Sequence, residues 1–385
     1  MQYDKEYDDI RPFTDQEVEE ALPFAAATPY LQQVVRYADP GMTDREIAAL
    51  ACTCRSAEDF VGKVLYRPVT LLLEKTADVV SYNGLDKLDK EQPYIFLSNH
   101  RDIVMDSVIL NYGLFARGML LAQSAIGNNL VPDQGLLTIA RINKNFIVRR
   151  DLSPRDTLVF SQRLSRYIRH VIHDIKNSVW IAHREGRAKD GDDRTNAGVI
   201  KMLAMAASQG DMINYLKSLH IVPMAISYEW DATDALKLRE LLAREKGLKY
   251  VKAKGEDLNS IITGIAGRKG RVNISVGTVL DAELEELRGL DNDVRRIRAV
   301  CEIVDKKIHS LYKLFPTNYA AFDILQETDR YAGCYSPQEK QAFEQRLRAT
   351  VEAVSGGEDA RRILLRMYAN PVINKNEIIP KNEKK

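Results

Sequence analysis

Only four cysteines, Cys52, Cys54, Cys301 and Cys334, stand in 385 residues, and they form one C-x-C pair without any C-x-x-C. That excludes a disulfide scaffold and a zinc ribbon, and it suits a reducing cytoplasm. No uncharged apolar run reaches the ~18 residues a spanning helix needs, and the polar, acidic start MQYDKEYDDIRPF lacks the basic and apolar regions of a signal peptide. The expectation is a cytoplasmic chain with neither signal peptide nor transmembrane helix, free to lie on a membrane surface. Charge of one sign is missing too: 55 Lys and Arg face 54 Asp and Glu, leaving +1 and no global field to draw in nucleic acid. Internal repeats and low-complexity blocks are absent.

What remains is the composition of a folded protein, 45% hydrophobic and 28% charged, of a length that fits one large domain or one with an appended module. Residues 1–80 read as a helical segment. Thr14 and Asp15 can cap one helix, Thr43 with Glu46 makes a capping box for a second, and Asp59 opens FVGKVLYRPVTLLLEK, which Pro68 is expected to bend or interrupt. From residue 81 to 280, the short apolar runs VVSYNG, PYIFLSN, GMLLAQ, NFIVRR, SVWIAHREG, HIVPMAISYE and VNISVG alternate with helical stretches. The pattern predicts an α/β core with a mixed central sheet flanked by helices. Residues 281–373 return to helical periodicity, and the Lys- and Asn-rich stretch 374–385 reads as a flexible tail.

The chemistry concentrates at strand ends. In YIFLSNHRDIVMDSVILNYGLF an apolar strand breaks at Ser98 and Asn99, and helical spacing resumes near Ile103. His100 is thereby placed at the rim of an open sheet, where α/β proteins hold their ligands. A histidine there can take a proton near neutral pH if a carboxylate fixes its other ring nitrogen. Asp106 is the leading partner, and Asp102 competes for the role but also suits a helix N-cap. The tripeptide His100-Arg101-Asp102 also spells a kinase catalytic loop. That reading fails for want of a glycine-rich phosphate loop, a DFG and the required asparagine, whose place Ser107 takes.

Three further blocks follow in order: NKNFIVRRD with Arg149 and Arg150, AHREGRAKDG with Glu185, Gly186, Arg187 and Lys189, and IVPMAISYEW with Pro223, Tyr228 and Glu229. On a strand, neighbouring arginines point to opposite faces, so one of Arg149 and Arg150 is expected at the site and the other on a carboxylate or in solvent. Arg187 can bind a phosphate in bidentate fashion, and a glycine such as Gly186 lets backbone approach a ligand. Pro223 reads as a structural part of its strand. His170, His173 and His183 carry no assigned role.

Together, His100 with Asp106, FIVRR, EGRAKDG and VPMAISYE resemble the four motifs of the glycerolipid O-acyltransferases, of the glycerol-3-phosphate, dihydroxyacetone-phosphate and 1-acylglycerol-3-phosphate types. The resemblance spans roughly residues 93–230. It departs in two places: five residues instead of four separate His100 from Asp106, and EGRAKDG has one glycine fewer, so that Arg187 follows Gly186 directly. The resemblance implies transfer of an acyl group from an acyl-CoA or acyl carrier protein thioester to a hydroxyl of glycerol 3-phosphate or a lysophospholipid. It implies peripheral contact with a membrane surface, and no cofactor, metal or nucleic acid. His100 would be the base and Asp106 its orienting partner. Arg149, Arg150, Glu185, Gly186, Arg187 and Lys189 would face the acceptor and its phosphate. No nucleophile-elbow G-x-S-x-G accompanies Ser98, so direct attack without an acyl-enzyme is expected. The alternative is a non-catalytic lipid-binding or scaffold protein that keeps the fold.

Overall fold

The computed structural model describes residues 3–208 and 211–378. Seven strands form one sheet: β1 Ala77–Asn83, β2 Ile95–Ser98, β3 Gln123–Gly127, β4 Asn145–Val148, β5 Val179–Ala182, β6 Ile221–Tyr228 and β7 Gly270–Val276. Their spatial order is β1-β7-β6-β2-β5-β3-β4. Every pairing is parallel except β6 with β7, so β6, β2, β5, β3 and β4 run one way and β1 and β7 the other. The fold is α/β with a mixed sheet between helices, the class expected from the alternation of apolar runs.

Side chains alternate across a strand, so each central strand feeds two cores. Ile95 and Leu97 of β2, Val179 and Ile181 of β5, and Ile221 and Ala225 of β6 pack with helices Pro154–His170 and Asp293–Leu311 on one face. Phe96, Trp180, Val222, Met224 and Ile226 pack with helix Met105–Phe115 on the other. The N-terminal helices form their own cluster, joined to the sheet layer through Ile142. Helices Pro316–Gln326, Pro337–Val354 and Gly357–Ile378 close on Leu238, Leu241 and Leu242 of helix Asp234–Glu245.

Several boundaries differ from the sequence expectation for identifiable reasons. The sheet begins at Ala77, ahead of residue 81, because β1 takes its register from Gly270. In GMLLAQ only Gln123 belongs to β3. At Ala122 the Asn111 side chain accepts the backbone N–H at 2.8 Å and donates to the C=O at 3.1 Å, taking the place of a neighbouring strand. Ser56, not Asp59, caps the third helix, accepting the Asp59 N–H at 3.1 Å. Pro68 does not interrupt it. A widened turn at Val61–Leu65, in which the Tyr66 N–H reaches back to the Val61 C=O, precedes the proline, and the helix continues to Thr76.

The expected tail is also revised. Helix Gly357–Ile378 runs through Asn374, which is buried. Its last turns are tied down by Arg194, bonded to Glu377 at 2.8 Å, and by Lys375 on the Tyr312 C=O at 2.7 Å. A polar composition that reads as solvated is therefore anchored by partners distant in sequence. Residues 379–385 lie outside the described residues.

Candidate active site

β2 ends at Ser98, whose hydroxyl accepts the Trp180 indole N–H at 2.9 Å. Asn99 then behaves as a side-chain rung of the sheet. Its amide accepts the Ile226 N–H at 2.8 Å and donates to the Ile226 C=O at 3.0 Å, locking β2 to β6 where the ladder stops. His100 emerges one residue later, at the carboxyl edge shared by five parallel strands, with its ring edge-on to Trp180 at 5.3 Å between centroids.

His100 Nδ1 lies 2.7 Å from Asp106 Oδ2. The helix carrying Asp106 starts only at Met105, so the turn Arg101–Val104 takes up the five-residue spacing and Asp106 falls in the first helical turn, fully buried. Its Oδ2 also accepts the backbone N–H of Arg101 at 2.6 Å and of Asp102 at 3.1 Å, and its Oδ1 accepts the Tyr228 hydroxyl at 2.8 Å. A carboxylate surrounded by donors only accepts, so Nδ1 of His100 carries the proton, and Nε2 is the ring atom left for a substrate. Nε2 has no hydrogen-bond partner among the described residues. Burial, and then the charge of Asp106, push the Tyr228 phenol well above its usual range, which keeps it a donor.

Asp102 does not touch the imidazole. Its Oδ1 accepts the N–H of Val104 at 3.0 Å and of Met105 at 2.9 Å, the work of a cap. Burial and the neighbouring Asp106 push its carboxyl up.

Arg101, next in the chain, turns inward. Its guanidinium reaches Asp231 at 3.4 Å, while Lys237 bonds Asp231 and donates to the Arg101 C=O at 2.7 Å. Against the opposing effect of burial, Lys237 and Arg101 hold the Asp231 carboxyl well below the usual carboxylate range. This buried ion cluster fixes the backbone on the far side of His100. A small cleft, open to solvent, adjoins it between Arg101, Asp193, Tyr228 and Tyr312, without His100 in its lining. One Arg101 nitrogen and one Asp193 oxygen are buried there without partners among the described residues.

The three downstream blocks reach the same edge but divide in role. Arg149 points away, onto Asp9 at 2.7 Å, and Arg150 pairs with Glu185. The loop after β5 is held to the histidine loop by the Ala188 N–H on the His100 C=O at 3.0 Å. Within it, Gly186 adopts φ +69°, a conformation that favours glycine, with open space where a side chain would stand. Lys189 is occupied by Glu240. Arg187 makes no hydrogen bond among the described residues, and one of its terminal nitrogens is buried without a partner. Pro223 lies inside β6 at the point where its pairing with β7 ends, so the N–H it lacks is not one of the ladder to β2. Its C=O receives the Gly277 N–H at 2.9 Å, so its nitrogen faces the same side, beyond the last register pair Met224–Val276 with β7.

Four contributors went unassigned in the sequence. Tyr228 and Glu229 both sit in the SYE block. The first contacts Asp106, and the second, buried, grips the Arg271 guanidinium and its N–H at 2.9 Å, pinning β7. Asp193 follows the EGRAKDG loop and bonds Asn99 at 3.2 Å and the Tyr312 hydroxyl at 2.6 Å. His183, at the end of β5, is fully buried against Thr195 at 3.1 Å, and burial pushes it down to about 4.

Among the described residues, no group of three or more His, Cys, Asp or Glu side chains is placed to hold a metal ion, and no helix is long and apolar enough to cross a membrane. The chain matches no family model and no curated protein. Among solved structures it is similar to the 1-acyl-sn-glycerophosphate (LPA) acyltransferase PlsC from Thermotoga maritima over 77% of this chain and 98% of that chain, with 16% identity and a TM-score of 0.37.

Proposed function

We propose that this protein is an O-acyltransferase that moves an acyl chain from a thioester, on coenzyme A or an acyl carrier protein, to a hydroxyl of glycerol 3-phosphate or a lysophospholipid. The observation that carries the reading is the 2.7 Å contact of His100 Nδ1 with the buried Asp106, which leaves Nε2 at the rim of the sheet. In this reading Nε2 removes the proton of the acceptor hydroxyl, and the oxygen attacks the thioester carbonyl carbon directly. The new C–O bond forms, the C–S bond breaks, and the departing thiolate takes the proton back from His100. Asp106 stays ionised and stabilises the transient imidazolium.

Arg187 serves the phosphate of the acceptor, because its guanidinium is not committed to the described residues and its loop is bonded to the histidine loop. Arg150 and Glu185 hold each other across that loop and set its position. Arg149 and Lys189, engaged by Asp9 and Glu240, serve the scaffold instead. The reaction would be peripheral to a membrane, since its acceptor or its product is a lipid.

The test is release of free thiol from acyl-CoA and from acylated carrier protein, with glycerol 3-phosphate and lysophosphatidate as acceptors. Acceptor-dependent release that falls by about 10² to 10⁴ in His100→Ala supports the reading. Absence of turnover with every donor and acceptor pair would leave a non-catalytic lipid-binding protein of this fold.

A further inference from the structure

The segment between β6 and β7 carries a surface that the site itself does not use. Helix Glu256–Ala266 is apolar on both faces: Ser260, Gly264 and the core-packed Ile265 lie inward, whereas Leu258 and Ile262, one helical turn apart, are 54% and 55% exposed. The reason is close approach. A Cβ at Gly264 would stand 2.1 Å from Asp102 Oδ2, so only a small residue lets the helix lie on the turn that follows His100. Of its larger apolar side chains Ile265 packs on the core beneath, while Leu258 and Ile262 are left facing outward.

The preceding loop continues the same face. Leu248 is 62% exposed and Val251 77% exposed, far beyond what a packed loop requires. Between them and around them stand Lys246, Lys249, Lys252 and Lys254, and no Asp or Glu occurs from 246 to 255. Lys252 pairs with Asp257 at 2.6 Å, while Lys246, Lys249 and Lys254 have no ion-pair partner among the described residues. Protruding apolar tips within a ring of lysines suit an interface of hydrocarbon beneath anionic headgroups. Lysines outnumber carboxylates on residues 246–266 by four to two, and both carboxylates are engaged within the segment, Glu256 by the Ala253 N–H at 3.0 Å and Asp257 by Lys252, so the charge left to a partner is positive and favours an anionic lipid surface over a protein of mixed charge.

We propose that residues 246–266 are the surface by which the protein rests on an anionic lipid bilayer. Leu248, Val251, Leu258 and Ile262 enter the interface and the lysines contact headgroup phosphates. Because the helix lies on Asp102, whose side chain caps the turn beside His100, the docked face holds the histidine close to the lipid surface. The docking stands apart from catalysis in its chemistry, but its use for delivering a lipid acceptor rests on the acyl-transfer reading.

Co-sedimentation with vesicles of phosphatidylcholine, with and without phosphatidylglycerol, tests it on the full chain. Wild type is expected to pellet with the phosphatidylglycerol vesicles and to be released by salt. The variant Val251→Asp with Ile262→Asp, and the variant with all four lysines changed to Gln, should each lower the bound fraction by about tenfold or more. Both should keep the wild-type melting temperature, because the altered side chains are exposed, and should keep thiol release from a soluble short-chain thioester with glycerol 3-phosphate. The proposal is overturned if wild type stays in the supernatant, if the variants pellet like wild type, or if both vesicle types bind equally. Binding to an acidic soluble protein with vesicles left unbound assigns the face to a protein partner and also overturns it. Vesicle binding without thiol release in any form defeats the acyl-transfer reading and leaves the docking surface standing.

Discussion

Tyr228 and His100 meet at opposite oxygens of one carboxylate: the tyrosine hydroxyl donates to Asp106 Oδ1 at 2.8 Å and the imidazole Nδ1 lies 2.7 Å from Oδ2. The last residue of β6 thereby fixes the rotation of the group that fixes the histidine.

Tyr228→Phe removes that hydroxyl and little else. A hydrogen bond to a charged group contributes about 1.5 to 3 kcal/mol, so kcat should fall by roughly tenfold or more while the acceptor KM stays put. An unchanged kcat in steady-state assays would show that the backbone N–H groups of Arg101 and Asp102 orient Asp106 without help.

Asp106 and Asp102 should separate by phenotype. Asp106→Asn presents an amide where four donors converge, so it should cut the rate strongly and lower the melting temperature as well. Asp102→Ala loses two capping bonds, costs about 1 kcal/mol of stability, and should keep most of the activity under conditions where it is folded. Melting curves and thiol-release rates on the same samples decide it. The opposite pairing of effects would hand the orienting role to Asp102.

Arg187 and Lys189 are two residues apart and should behave differently. Arg187→Ala should raise the KM for a phosphorylated acceptor by roughly tenfold or more and leave the donor KM nearly unchanged. Lys189→Ala, which releases Glu240, should act on stability alone. A comparison of glycerol 3-phosphate with glycerol exposes the phosphate dependence, and equal use of both by wild type would remove it.

His183 sets a limit in acid. Burial lowers it to about 4 from an unfolded value of 6.5, so between those pH values the unfolded chain binds the extra proton. Its contribution is intact above pH 6.5 and stability falls as pH drops toward 4, by roughly 3 kcal/mol over the whole window. His183→Gln cannot take up that proton. Denaturant titrations at pH 7 and pH 4.5 should show a smaller acid loss in the variant, and an equal loss would place the acid sensitivity elsewhere.

Local instructions were legible in the residues themselves. Thr43 with Glu46 forms the capping box its spacing announces, and Thr14 caps its helix as expected, with Glu17 completing a second box. These signals act within one turn, through a side chain and the backbone three residues on. Six of the seven apolar runs likewise mark strands, and the seventh, GMLLAQ, ends where β3 begins; the central strands β2, β5 and β6 are the most legible because a strand buried on both faces is apolar nearly throughout. The position of His100 just past a strand end follows from the same local break at Ser98 and Asn99.

Partners across the chain were not legible. The strand order joins Ala77 to Gly270 by contacts that no local periodicity encodes. The choice between Asp102 and Asp106 depends on the turn Arg101–Val104, which has no period, and on a Tyr228 hydroxyl arriving from β6. Asp9 and Glu240 draw Arg149 and Lys189 away from the site and leave Arg187 uncommitted, although all three are the same charge in adjoining motifs. Composition marked residues 374–378 as loose until Arg194 and Tyr312 supplied anchors. Helix Glu256–Ala266 shows the reason most plainly. Its sequence allows either face to be buried, and the close contact of Gly264 with Asp102 is what turns Leu258 and Ile262 outward. Sequence determined which segments are helix or strand and where a base could stand, because those depend on neighbours in the chain. Tertiary structure alone decided which charges remain free to act, because a charge is neutralised by whatever the fold brings within hydrogen-bond reach.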